Sequence, residues 1–253
     1  MVRNALIPLF LAATGCSAVV AGSPSEGDAQ SASVTGVVVV EKTVTDDATR
    51  GEASARFVRV RGAVDADALR LVGAALDLPN VGECASAGLP ATTAHPVELL
   101  DVGGVSIESA GQKTALVGRQ LPDVVDLVSG TVYSARIDAR DSVQVLVGGT
   151  ADVPAFSLRA EAPEAPADVR VAALDSGALD VSWSGGADVI YLDVNGSRCT
   201  FADEGRALVP ASVIGDATAA SLHRVRREKL SIPGLDGGEL RFDFARSVTL
   251  ARR

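Results

Sequence analysis

Side chains able to do chemistry are few: three cysteines and two histidines, against thirty-two acids. A zinc site needs three or four nitrogen or sulfur ligands at set spacing. Neither a C-x-x-C nor an H-E-x-x-H stretch is present, so no metal ligands are assigned. His95 precedes Pro96 and reads as a loop residue, and His223 stands beside Arg224 on a strand. Calcium takes six to eight oxygens. Asp46-Asp47, Asp65 with Asp67, Asp138 with Asp141, and Asp236 lie in turn-like stretches without EF-hand spacing. An Asp in a turn more often bonds its own backbone. No G-x-S-x-G, Ser-x-x-Lys or Cys–His signature marks a nucleophile. A hydrolase using two of the many carboxylates is an alternative, but sugar sites favour aromatic platforms, and one Trp and two Tyr are a poor supply. Trp183 is read as core. No catalytic residue and no cofactor is assigned. The basic run His223–Lys229 could meet an anionic surface, and the favoured reading is a solvated strand face whose charges deter edge pairing.

The 253 residues are 47% hydrophobic, 22% charged and 4% aromatic, with formal net charge −9. This supplies a core for one large domain or two ordinary ones and excludes a disordered chain. The acidic balance argues against nucleic acid, which needs a basic face. The body has no apolar run of about 18 residues, the length a spanning helix needs.

Short Val-, Leu-, Ile- and Thr-rich runs recur between Gly, Pro, Asp and Asn. Strands are predicted over Val34–Val44, Ala55–Gly62, Val97–Leu100, Gly104–Glu108, Val132–Ala139 and Ser142–Val147. Ala66–Leu78 places Leu69, Val72 and Leu76 at helix spacing, so one short helix is predicted there. Glu161–Asp168 carries two prolines and three acids and reads as a semi-rigid linker. It divides a β-rich domain over 34–160 from a second domain over 168–253. In the second domain, Asn195-Gly196 between apolar runs is a hairpin signal, because both turn residues must take positive φ. Glu239–Phe244 turns Leu240, Phe242 and Phe244 inward and Arg241 and Asp243 outward, and Val248–Leu250 closes a last strand.

The N-terminus has a short positive region (Arg3), the apolar run Ala5–Ala13, and then Ala13-Thr14-Gly15-Cys16. This resembles the lipobox of bacterial lipoproteins. The resemblance implies cleavage after Gly15, diacylglycerol on the Cys16 sulfur and fatty acylation of its amine. Residues 1–15 would be the signal peptide and 16–33, small and polar, a flexible tether. Ser17 after the Cys implies the outer membrane. The alternative is secretory cleavage after Ala21, with Val19 and Ala21 as the small residues of the site, and a soluble periplasmic or secreted product. If Cys16 is acylated, Cys84 and Cys199 remain as an even pair in an oxidising compartment. They would either bridge the two domains or stay free. Cys199 alternates inward with Phe201 and packs as a small hydrophobe, while Cys84 lies in a small-residue loop.

Pro163 and Pro166, Val169 and Val171, Leu179-Asp180-Val181-Ser182-Trp183 and Tyr191-Leu192-Asp193-Val194 resemble the opening of a fibronectin type III or immunoglobulin-like module, with Trp183 as its core Trp. The likeness covers about 35 residues. With Gly149–Phe156 (GTADVPAF) before the linker, the arrangement is also similar to uncharacterised β-rich exported lipoproteins of bacteria. The expected fold is all-β, two β-sandwich domains after a signal peptide and tether. The expected role is a membrane-anchored, non-catalytic binding, adhesion or scaffold module of the cell envelope, meeting an envelope protein or polysaccharide. A periplasmic small-ligand or ion carrier, with its site at the 161–168 segment, is the other alternative.

Overall fold

A computed structural model describes residues 32–61, 66–86, 96–124 and 128–250, with the side chains of 123 and 124 excepted. Residues 1–31, with the expected signal peptide, Cys16, Val19, Ala21 and most of the expected tether, lie outside the described residues, as does His95. The described elements are β1 (Ala32–Val44), β2 (Thr49–Arg61), α1 (Ala66–Leu71), β3 (Cys84–Ser86), β4 (Val97–Leu99), β5 (Val105–Ser109), β6 (Gln112–Ala115), β7 (Val117–Val124), β8 (Val128–Arg136), β9 (Ser142–Val147), β10 (Phe156–Glu161), β11 (Arg170–Ala173), β12 (Leu179–Ser182), β13 (Val189–Val194), β14 (Ser197–Ala202), β15 (Arg206–Val209), α2 (Ala211–Ile214), β16 (Ala219–Lys229) and β17 (Gly237–Thr249).

The fold is all-β and sandwich-like. A long sheet runs β3-β14-β13-β16-β17-β1-β2-β4-β8-β7. Two smaller sheets, β10-β9-β5-β6 and β11-β12-β15, stack on one of its faces. Period-two alternation explains why. On β1, β2 and β17 the residues Val38, Val40, Phe57, Leu240, Phe242 and Phe244 point to one side and meet Val105, Ile107, Val143, Val145 and Val147 of the four-stranded sheet. Further along, Ile190, Leu192, Cys199 and Leu222 meet Leu179, Val181, Trp183 and Val209. On the opposite face, Val37, Val39, Val58 and Val60 are covered by Ala68, Val72 and Ala74. There α1 ends at Leu71, well short of the predicted Leu78. Ala74 and Ala75 fold their N–H groups back onto the Leu69 carbonyl, and the chain continues as an irregular crossing segment.

The expected division at 161–167 is not where the sheet divides. Strand β1 pairs in parallel with β17 from Thr35 with Gly237 to Val44 with Arg246. The first and last strands therefore share one ladder and one core. The Pro- and acid-rich stretch is a docked strap. Pro163 and Pro166 are buried, Ala162 and Ala165 pack on the core, and Arg224 and Arg226 donate to the Glu164 and Glu161 carbonyls at 3.1 and 3.0 Å. Proline lacks an N–H, so such a strap can be buried with few unpaired donors. Strand β1 begins inside the stretch expected to be tether, since Ala32 and Ser33 already pair with Arg61 and Val60. Asn195 and Gly196 take φ of 51° and 73° in the β13–β14 hairpin.

Candidate functional site

The second face of the long sheet is only partly covered, and it carries the polar side chains that alternate with the core. Arg241 and Asp243, expected outward into water, are buried there at 5% and 9% exposure. The segment after α1 crosses above them, and three arginines from three strands satisfy its carbonyls. Arg241 donates to Ala74 at 3.0 Å, Arg227 to Leu76 at 2.7 Å and Arg198 to Asp77 at 3.4 Å. An irregular segment over a sheet needs such donors, because its own backbone forms no ladder.

Between this segment and the sheet lies a groove of about 940 Å³. Leu76, Leu78 and Val81 form one wall. Val189, Thr200 and Val225 form the floor, with Arg226 and Arg227 at its edge. Val81 and Val189 are 61% and 38% exposed, so the groove presents open apolar surface.

On the same face, two residues along β16 from Val225, stands His223. Ser221 Oγ is 2.8 Å from His223 Nε2, and His223 Nδ1 is 2.6 Å from Asp243 Oδ1. The Tyr191 hydroxyl donates to Asp243 Oδ2 at 2.8 Å and lies 2.8 Å from His223 Nδ1. The two rings are stacked with centroids 4.2 Å apart. The carboxylate accepts only, so Nδ1 carries the proton that bonds Asp243. Nε2 then presents its lone pair to the Ser221 hydroxyl. The strand register builds this array. Tyr191 pairs with His223 across β13 and β16, and Asp243 of β17 pairs with Val225 beside it.

Glu41 stands opposite both Asp243 and Glu52 in register. Its carboxyl is pushed above the usual carboxylate range, first by desolvation and then by the Asp243 charge. Glu41 and Asp243 are thus neighbouring carboxylates of the kind a paired-acid hydrolase would need. Asp243, however, is committed to Tyr191 and His223.

Both tyrosines of the chain resist ionisation. Burial, and then the hydrogen bond that its hydroxyl donates to the Asp101 carboxylate, push Tyr133 up to about 12. Burial and then the Asp243 charge raise Tyr191. A raised phenol pKa stabilises the fold fully below the unfolded value near 10, and that stability is lost as pH rises through the folded value. An ultraviolet titration of the folded chain is therefore expected to show no tyrosinate step near pH 10 and to lose the fold above roughly pH 11–12. Reversible ionisation near pH 10 with the fold intact would contradict it.

The basic run forms the expected solvated face only at its end, where Arg227, Glu228 and Lys229 are exposed. Arg224 points into the interior, where Asp203 meets its guanidinium at 2.8 and 3.1 Å. Arg226 pairs with Asp188 at 2.8 Å. Trp183 is core, as expected, and donates its indole N–H to Asp203 at 2.7 Å. Cys84 and Cys199 are joined by a disulfide with S–S 2.08 Å, and the two residues pair across β3 and β14. The inward-pointing Cys199 is thus bonded, and its partner anchors the end of the crossing segment to the sheet. At the 161–168 strap there is a hollow of about 500 Å³, with Lys42, Arg140, Asp141, Glu161 and Glu164 among its lining. Among the described residues no group of three or more His, Cys, Asp or Glu could hold a metal, and no helix is long and apolar enough to cross a membrane. Sequence reasoning missed the Ser221–His223–Asp243 array. Its one local signal is Ser-x-His on a strand, which puts both side chains on one face.

The class this geometry defines is an all-β sandwich with a half-open polar sheet face. No family model matches the chain, and no curated protein shows significant similarity to it.

Proposed function

We propose that this is a cell-envelope lipoprotein, anchored through acylated Cys16, whose folded part is a binding, adhesion or scaffold module. The observation that carries the reading is the Cys84–Cys199 disulfide, because such bridges form and persist in oxidising compartments outside the cytoplasm. The lipobox-like Ala13-Thr14-Gly15-Cys16 supplies the anchor, and two or more acyl chains hold a protein stably where one does not. The groove with exposed Val81 and Val189 supplies the contact surface for an envelope protein or polysaccharide. Fractionation tests it. The wild-type chain is expected in the membrane pellet and Cys16→Ser in the soluble fraction; an unchanged distribution would overturn the anchor.

A second reading, a carrier of a small polar ligand, is favoured by the hollow at the strap, whose lining includes Lys42, Arg140, Glu161 and Glu164.

A further inference from the structure

We propose that Ser221 is an activated nucleophile that accepts an acyl group from an activated carboxylic ester whose apolar chain lies in the adjoining groove. The activity goes beyond the binding role and stands independently of Cys16. Ser221, His223 and Asp243 have the connectivity that makes a hydroxyl nucleophilic: hydroxyl to Nε2 at 2.8 Å, Nδ1 to carboxylate at 2.6 Å. Tyr191 holds the second carboxylate oxygen and stacks on the imidazole, so both the ring plane and the tautomer are fixed. The serine end of the array is the open end, since Ser221 is half-buried while Asp243 and Tyr191 are buried. Val225 of the groove floor is two residues from His223 on the same strand face, roughly 7 Å at strand spacing. Ser221 is four residues from Val225 on that face, roughly 13 Å at strand spacing, so the groove would hold the distal part of an acyl chain whose carboxyl end reaches along β16, past His223, to Ser221.

The step balances within these groups. Ser221 Oγ attacks the ester carbonyl carbon and its proton passes to His223 Nε2. The imidazolium is stabilised by Asp243. The bond to the leaving oxygen breaks and His223 returns the proton to it. Ser221 lies in a central strand, paired with Asp193 on one side and Ser247 on the other, so its own N–H belongs to the ladder and gives the oxyanion no donor. Loss of one such donor slows acyl transfer about 100–1,000-fold in hydrolases. The expected chemistry is therefore acylation by activated donors with slow release.

The full chain is incubated with a fluorophosphonate and, separately, with p-nitrophenyl butyrate. The fluorophosphonate forms an Oγ–P bond and releases fluoride. Intact mass and peptide mapping are expected to find one adduct, on Ser221. The ester is expected to give a nitrophenolate burst of about one equivalent, followed by slow turnover. Ser221→Ala should abolish both, and His223→Gln should slow labelling about 100-fold or more. An unchanged mass, an adduct elsewhere with Ser221 unmodified, or equal labelling of His223→Gln would overturn the proposal. Mapping of the wild-type adduct decides the matter even where a variant fails to fold. A negative result leaves the envelope reading standing, because that reading rests on the disulfide and on Cys16.

Discussion

Asp203→Ala is expected to destabilise the chain by about 3–5 kcal/mol, the usual cost of stripping a buried ion of its partner. Asp203 and Arg224 have side chains 1% and 6% exposed. The carboxylate takes Nε of Arg224 at 2.8 Å, Nη2 at 3.1 Å and the Trp183 indole N–H at 2.7 Å. The rest of the guanidinium is spent on the Ser184 and Glu164 carbonyls at 2.6 and 3.1 Å. Removing the acid leaves a buried cation with two carbonyl contacts and an indole with no acceptor. The loss reaches beyond the pair, because Trp183 belongs to the core between the long and three-stranded sheets and Glu164 belongs to the strap. Replacing both ions at once, Asp203→Leu with Arg224→Met, should recover much of the loss, since no charge is left stranded. Urea denaturation of the three proteins checks this. A single variant within about 1 kcal/mol of wild type would show that the network contributes little.

The second large effect concerns the bridge. Cys84 and Cys199 are separated by 115 residues, and a cross-link over a loop that long restricts the unfolded chain strongly. The chain-entropy model gives close to 5 kcal/mol, and measured bridges typically give about 2–4. Replacing both cysteines by Ser is expected to cost about 3–5 kcal/mol. The loss should be local first. β3 has three residues and pairs only with β14 at the sheet edge, so its release frees the segment that walls the groove. Hydrogen exchange should rise in residues 76–86 before the β1–β17 ladder. Uniform protection alongside an unchanged denaturation midpoint would contradict this.

Much of the strand content is legible in the chain because alternation is a local property. Ser142–Val147 is observed with the predicted bounds, and β1 begins two residues before Val34. Asn195-Gly196 and Trp183 announce themselves because a positive-φ turn and a core indole each carry a local signature. What is not legible is long-range pairing. Nothing near Val38 or Phe242 says that they share a ladder, and the prolines at 163 and 166 mark a strap as readily as a linker. The second face suffered most. Arg241 and Asp243 alternate like solvent residues, but the crossing segment, placed by α1 at one end and Cys84 at the other, takes the Arg241 guanidinium, and Tyr191 and His223 take the Asp243 carboxylate. Ser221, His223 and Asp243 come together through the β16–β17 pairing, so no local spacing relates the carboxylate to the other two.

The central claim, an exported, oxidised and acylated chain, is tested most directly by intact mass of the native protein, extracted in detergent and alkylated without reduction. It predicts a chain beginning at Cys16, heavier by a diacylglyceryl and a fatty acyl group, with no alkyl adduct on Cys84 or Cys199. A chain still carrying residues 1–15, with all three thiols alkylated, would contradict it.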